Sequence, residues 1–288
     1  MKTFMNKISF TLKIIMCILF FIGNANSDTG DNIIKKLTQR YFDNQINCGD
    51  DGLPVFLCSG ILIRGTVASD AYHSWNPSPG AQRLGGVSFS YLRSDIKSIE
   101  LASEHHNGYI FSPYIEHLEN LDNTEKINIE ILCYYPVDGN TQGRLDKGCG
   151  SSTGYPNLGS CQQQNITTTQ QWIDKYGAYP DNNEICGFDV TGDGSASIFM
   201  QGLKVNSILN FSSNNELIIA VWEQNIPNTL PIEAFFYQNE GLQDAQHDQK
   251  DFYQSTGTVI PIVKIIFPSS SDEKITFTYN EEDQLKFN

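Results

Sequence analysis

The chain has 288 residues, of which 40% are hydrophobic, enough to form the core of one large domain or of two small ones. Its formal net charge is −14, and no cluster of lysine and arginine residues offsets this charge. Because a negative protein repels a phosphate backbone, the composition argues against a nucleic-acid partner.

The first 27 residues have the pattern of a signal peptide. Three lysines precede the apolar run 14–22, and small and polar residues follow at 23–27. The run is too short for a comfortable membrane span. Cys17 follows Met16 instead of the small residue that a lipoprotein signal requires. We therefore expect a protein that is secreted or periplasmic and has no stable membrane anchor.

An even number of cysteines follows the signal segment, which in an exported chain predicts a disulfide framework. The six residues are Cys48, Cys58, Cys133, Cys149, Cys161 and Cys186. The sequence alone does not choose among the many pairings. Short intervening loops favour Cys48–Cys58 and Cys149–Cys161, which would leave Cys133–Cys186.

The first half of the mature chain predicts one helix followed by strands. Apolar residues at helical spacing predict the helix over 31–42. Runs of β-branched and aromatic residues predict strands at 55–58, 61–63, 86–91, 108–112 and 127–135. A segment rich in glycine, serine, proline and asparagine, from 136 to about 164, predicts a disulfide-tied loop.

The second half mixes helices with further strands. A Thr-x-x-Gln pattern at the start of 167–176 is typical of a capped helix N-terminus. Further helices are predicted at 197–209 and about 242–253, and strands at 216–222, 232–237 and 259–267. Many strands, few helices and no regular β-α-β alternation predict an α+β fold in a single domain over 28–288, with a cysteine-rich insertion at about 136–190.

Three short segments place polar groups on predicted strands: Arg64-Gly65, Ser88-Phe89-Ser90 and Asn214-Asn215-Glu216. Cleavage of the bond between nicotinamide and ribose passes through an oxocarbenium-like sugar, which a neighbouring carboxylate stabilises. A pyrophosphate needs a fixed cation, and arginine offers a rigid, bidentate one. These residue types therefore fit an enzyme that holds NAD and releases nicotinamide.

The three segments resemble the Arg–Ser–Glu signature of bacterial ADP-ribosyltransferase toxins of the cholera-toxin type. More closely, the chain resembles the halovibrin family of secreted bacterial NAD-cleaving proteins. That resemblance rests on 56–60, 72–79, 85–93, 186–189, 215–217, 234–237 and 247–251, and it covers most of the mature chain. It implies a mixed β core of two packed sheets, flanked by helices and carrying a disulfide-tied insertion.

The resemblance also implies roles for individual residues. Arg64 would anchor NAD, Ser88 would orient the catalytic carboxylate, and Glu216 would be that carboxylate. The implied NAD-binding set is Arg64, Gly65, Ser88, Phe89, Ser90 and Asn214. NAD would be a substrate and not a bound cofactor, and the acceptor of ADP-ribose would be water, a protein or a small molecule. A secreted toxin or effector is the implied setting.

Asn214 stands where arginine-modifying transferases of this type carry a second glutamate. Asparagine cannot accept a proton as a general base. We therefore expect NAD glycohydrolase activity first, with transfer to a protein as the secondary activity.

The same residues also fit other interpretations. Arg64 could form a surface ion pair, and the two serines could lie on the solvent face of an ordinary strand. Glu233 is a rival catalytic carboxylate because it interrupts an apolar strand. Ser152 lies in a Gly-x-Ser-x-Gly pattern, which would suggest a serine hydrolase, although the flanking strand and helix are missing. An NAD-binding module without turnover is the remaining alternative, and no bound metal is expected.

Overall fold

The computed structural model describes more than half of the chain. The described residues are 30–49, 55–66, 87–96, 101, 105–111, 130–139, 149, 159–178, 185–191, 194–209, 214–220, 232–270 and 273–287. The predicted signal segment 1–27 and Ser152 lie outside these residues.

Nine strands form the centre of the described structure, and four α-helices pack against them. The strands are β1 (Ile61–Thr66), β2 (Val87–Leu92), β3 (Asn107–Phe111), β4 (Glu130–Tyr135), β5 (Phe188–Asp189), β6 (Glu216–Ala220), β7 (Ile232–Tyr237), β8 (Ile262–Ile266) and β9 (Thr276–Thr278). The helices are α1 (Gly30–Phe42), α2 (Thr169–Tyr176), α3 (Ser195–Ile208) and α4 (Leu242–Thr256).

The strands follow the order β5-β4-β6-β2-β1-β3-β7-β8-β9 in one hydrogen-bonded series. Among the described strands only β7 and β8 are paired in parallel, so the sheet is mixed. The α+β class predicted from the sequence is therefore confirmed. The pair of packed sheets is not, because the described strands form a continuous series.

Alternation along the strands sends side chains into two apolar clusters on opposite faces of the sheet. Ile61 and Ile63 of β1 join one cluster, to which α1 contributes Ile33 and Leu37. Leu62 joins the other cluster. That second cluster also receives Trp172 of α2, Phe199 of α3 and Phe252 of α4. The sheet is thus covered by α1 on one face and by the other three helices on the opposite face.

Local sequence signals fix several of these elements. The Thr-x-x-Gln pattern forms the predicted capping box, in which the Thr168 side chain accepts from Gln171 N and the Gln171 side chain accepts from Thr168 N. The strand predicted at 55–58 is wrong, because Val55–Leu57 forms a 3-10 turn. The backbone N–H groups of Cys58 and Ser59 both donate to Val55 O, which closes the turn.

Two disulfides are present among the described residues, and one of them was predicted. Cys48–Cys58 has the expected pairing. The other joins Cys161 to Cys186, so the pairings Cys149–Cys161 and Cys133–Cys186 are wrong. The chain folds back through α2 between these two cysteines, and Cys161 N donates to Gly187 O at 2.9 Å. This return places residues 25 apart in sequence side by side.

No helix in the described part of the chain is both long enough and apolar enough to cross a membrane.

Strands β1 and β2 part halfway along their length. They pair from Ile61 with Leu92 to Ile63 with Ser90. Beyond this point β1 continues to Thr66 beside β3, whereas the other half of β2 pairs with β6. The described pairing therefore ends one residue before Arg64 on β1 and two residues from Ser88 on β2, and we call this place the β1–β2 gap.

Candidate functional site at the gap between two strands

Arg64 occupies the β1–β2 gap. Its Nη1 donates to the backbone carbonyl oxygen of Ser88 at 2.7 Å. In an antiparallel ladder, the N–H and C=O groups of successive residues point to alternate neighbouring strands. Tyr91 is bonded from the β6 side by Asn215, so the Ser88 carbonyl, three residues away, points toward β1. The guanidinium thus bonds a carbonyl that β1 would otherwise satisfy.

Glu216 begins the neighbouring strand, β6. The register pairs Phe89 with Leu217 and Ser88 with Ile218. The next position along the ladder brings Ser90 beside Glu216, and the alternation of side chains puts Ser88, Ser90 and Glu216 on one face of β2 and β6. Arg64, Ser88 and Glu216 therefore lie on three adjacent strands.

The side chain of Arg64 projects from the face of the sheet opposite to that of Ser90. Ile63 pairs with Ser90, and Arg64, the next residue, pairs instead with Tyr109 of β3. Because β1 and β2 have separated here, the long arginine side chain reaches the Ser88 carbonyl in spite of this difference in face. The separation of β1 and β2 therefore allows the Arg64 guanidinium to contact the Ser88 carbonyl.

The Glu216 carboxylate is buried and held by the backbone. Its Oε2 accepts from Gly139 N at 2.9 Å, and the residue is 3% exposed. A Cβ at position 139 would lie 2.8 Å from that oxygen and 2.7 Å from the ring of Tyr135. Only glycine fits this close approach, so the loop after β4 orients the carboxylate.

Arg64 and Glu216 act on each other electrostatically. Burial lowers the pKa of Arg64, while the negative charge of Glu216 opposes this change. Arginine remains charged throughout the physiological range. The β1–β2 gap therefore combines a fixed cation with a buried carboxylate.

His105 packs against the same end of β1, a position that the sequence did not indicate. A Cβ at Gly65 would meet the His105 side chain at about 2.5 Å, so glycine is needed for this contact. Burial lowers the pKa of His105, and the charge of Arg64 lowers it further. The imidazole beside Arg64 is therefore neutral at pH 7.

Two residues of the implied NAD-binding set, Phe89 and Asn214, make contacts elsewhere in the protein. Phe89 is buried in the core, with its ring centroid 5.0 Å from that of Phe111. Its side chain therefore points away from Ser88 and Ser90. Asn214 is half-buried, and its Nδ2 donates to Asn215 O at 3.4 Å.

Asn215 forms a clamp between β6 and β2. Its Oδ1 accepts from Tyr91 N at 2.7 Å, and its Nδ2 donates to Tyr91 O at 2.8 Å. The side chain thus replaces the next backbone pair of the ladder and fixes the strand start that carries Glu216. The Asn-Asn-Glu segment contained this residue, but nothing in the sequence separated its role from that of Asn214.

Replacing Asn215 with alanine leaves two buried backbone groups of Tyr91 unsatisfied. We expect the free energy of unfolding to fall by about 2–6 kcal/mol, since each unsatisfied buried group costs about 1–3 kcal/mol. Urea unfolding measures this loss. Asn214→Ala is the matched control and should change stability by less than about 0.5 kcal/mol. Equal stabilities of the two variants would contradict the clamp.

A buried polar cluster lies next to the site, at the end of β1. Oδ2 of Asp248 on α4 accepts from Thr66 Oγ1 and from Asn107 Nδ2, both at 2.9 Å. The Asn107 amide also donates to Thr66 Oγ1 at 3.0 Å. Burial raises the pKa of Asp248 from its ordinary 3.8 to about 6, and the two hydrogen bonds only partly offset this effect.

The raised pKa of Asp248 should make stability depend on pH. The folded protein binds the Asp248 proton more tightly than the unfolded chain does. The stabilisation that this proton contributes to the fold is therefore complete below pH 3.8 and is lost as the pH rises through about 6. At about 1.4 kcal/mol for each tenfold difference in proton affinity, the loss is about 3 kcal/mol. Urea unfolding of wild type and Asp248→Asn between pH 4 and pH 7 tests this. Parallel stability curves would contradict it.

Glu233, the rival carboxylate, lies in an ion pair away from the β1–β2 gap. Its Oε2 accepts from Arg40 Nη1 of α1 at 2.6 Å, and Lys36 Nζ lies 3.5 Å from its Oε1. The side chains of Arg40 and Glu233 are 9% and 6% exposed. The carboxylate interrupts an apolar strand because it neutralises a buried arginine.

Removal of Glu233 should therefore affect stability and not turnover. We expect Glu233→Gln to lower the free energy of unfolding by about 3–5 kcal/mol, because it leaves the buried Arg40 charge uncompensated. The double variant Arg40→Met/Glu233→Leu should recover most of this loss, which urea unfolding measures. Loss of catalytic activity in the folded single variant would instead restore Glu233 as a catalytic candidate.

Comparisons with known proteins do not assign the chain to a family. No protein-family model matches it, and no curated protein matches it either.

Proposed function

We propose that the protein cleaves the nicotinamide–ribose bond of NAD and passes ADP-ribose mainly to water. The observation that carries this proposal is the arrangement at the β1–β2 gap, where Arg64 bonds the Ser88 carbonyl within electrostatic reach of buried Glu216. NAD is the substrate in this proposal, and no resident cofactor is required.

The proposed chemistry assigns one task to each charged group. As nicotinamide leaves, positive charge develops on the ribose, and the Glu216 carboxylate stabilises it. The bond from Gly139 N holds that carboxylate in place before the reaction begins. Arg64 holds the pyrophosphate, because its planar guanidinium forms paired hydrogen bonds with phosphate oxygens. In a largely buried site such electrostatic interactions are stronger than in water.

We infer an ADP-ribosyltransferase-like fold, with the strands on the two sides of the β1–β2 gap acting as its two sheets. We infer export to the periplasm or to the medium, where a toxin or effector of this chemistry would act. The disulfides Cys48–Cys58 and Cys161–Cys186 agree with an oxidising compartment.

The proposed acceptor of ADP-ribose depends on Asn214, which lies two positions before Glu216. Asn214 has no proton-accepting group that could activate a guanidinium. Water is therefore the favoured acceptor, and transfer to a protein or small molecule is the secondary activity.

The test is to incubate the purified mature protein with NAD and to quantify nicotinamide and ADP-ribose by chromatography. The proposal expects both products to be released in equal amounts. Nicotinamide without free ADP-ribose would indicate transfer to the protein or to an added acceptor. Binding of NAD in a calorimetric titration without nicotinamide release would indicate a binding module, and no binding would remove NAD altogether.

A further inference from the structure

The cluster of Thr66, Asn107 and Asp248 ties three elements together at one point. Asp248 belongs to α4, Thr66 ends β1, and Asn107 begins β3 and pairs with Thr66. All three residues are buried, at 7% exposure or less. Burial of a carboxylate is costly unless hydrogen bonds compensate for the loss of water. Its presence here therefore calls for a role that an apolar residue would not fill.

The buried Asp248 carboxylate is not needed to attach α4 to the sheet. The helix already buries Ala245 and Phe252, and the Phe252 ring packs against Phe235 of β7 at a centroid distance of 5.7 Å. Gln249 anchors the helix further, since its Nε2 donates to Ile260 O at 2.7 Å and its Oε1 accepts from Leu285 N at 3.1 Å. Asp248 instead holds the end of β1, the strand that carries Arg64, through Thr66, and the paired start of β3 through Asn107.

Arg64 and the cluster lie on the same face of β1. Arg64 and Thr66 are two residues apart, so their side chains leave the strand on one side. Tyr109, which pairs with Arg64, lies within electrostatic reach of both charges. The Arg64 charge lowers the pKa of Tyr109 and the Asp248 charge raises it, although burial has the largest effect and raises it overall. A movement of Thr66 would be transmitted directly to Arg64 through the short strand end.

We propose that Asp248 is a positioning residue that fixes the end of β1 and so keeps the Arg64 guanidinium on the Ser88 carbonyl. This inference rests on the proposed function only in that Arg64 is taken to bind the pyrophosphate of NAD. Asp248 itself touches Thr66 and Asn107, and it acts on the substrate through Arg64 alone.

The kinetic test compares four variants under steady-state conditions with NAD. Asp248→Ala and Thr66→Val, which each break the link to β1, should raise the KM at least 10-fold and change kcat less than 3-fold. Asp248→Asn keeps an oxygen that can accept both hydrogen bonds, so its KM should stay within 3-fold of wild type. Gln249→Ala is the control: it should lower the urea midpoint and leave the KM unchanged.

A second readout does not need NAD turnover. Hydrogen exchange at the amides of Gly65 and Thr66 should become at least 10-fold faster in Asp248→Ala and Thr66→Val, while amides of the β7–β8 pairs keep their rates. Unchanged exchange would overturn the positioning of β1, and faster exchange with an unchanged KM would overturn its link to Arg64. If wild type releases no nicotinamide, the proposed function fails, and exchange alone decides the positioning of β1.

Discussion

Glu216→Gln is expected to lower the kcat for nicotinamide release about 10³-fold, which corresponds to about 4 kcal/mol of transition-state stabilisation. Glutamine has nearly the same shape as glutamate, and its amide oxygen can still accept the hydrogen bond from Gly139 N. The variant therefore loses the negative charge beside the ribose while the fold is preserved. Steady-state assays of nicotinamide release measure the effect.

Two controls separate this loss from a general disturbance. Glu240→Gln removes an exposed carboxylate from the turn before α4 and should leave turnover unchanged. Calorimetry should show that Glu216→Gln binds NAD within a few-fold of wild type, because the carboxylate acts mainly on the transition state. Wild-type turnover in Glu216→Gln would remove this residue from the mechanism.

Arg64→Lys is expected to raise the KM for NAD about 30-fold or more while kcat falls less. Lysine keeps the charge but offers a compact ammonium group in place of a planar fork. It cannot reproduce at one time the bond to the Ser88 carbonyl at 2.7 Å and paired bonds to a pyrophosphate. A 30-fold effect corresponds to about 2 kcal/mol, within the range of a charge-assisted hydrogen bond.

The control for Arg64 is Lys204→Gln, which removes an exposed positive charge from α3. Its KM should match that of wild type, because the loss of a distant charge is screened by salt. A KM that rises equally in both variants would point to long-range attraction of NAD and would contradict a fixed binding contact at Arg64.

Local patterns in the sequence predicted the elements that have clear periodicity. The strand at 232–237 follows from its run of aromatic and β-branched residues, and the helix capped by Thr168 follows from the capping box. The short strand β5 was missed, because two residues carry no period. The apolar run at 55–58 predicts a strand although Val55–Leu57 forms a turn, since a short buried apolar run has the same composition in either conformation.

Contacts that depend on distant parts of the chain could not be read in the same way. Gly139 is 77 residues from Glu216, and no local pattern indicates that its N–H meets that carboxylate. Asp248 gave a partial signal, because it lies at helical spacing from the buried Ala245 and Phe252 and therefore on the apolar face of α4. A carboxylate on an apolar face indicates a buried partner but does not identify it.

The most direct test of the central claim is an NMR titration of Glu216→Gln with NAD, because this variant should bind NAD without consuming it. We predict that the backbone amide signals of Gly65, Ser88 and the residue at position 216 shift together and saturate with one common Kd. Signals that shift only elsewhere in the protein, or that do not shift at millimolar NAD, would contradict a shared site for Arg64, Ser88 and Glu216.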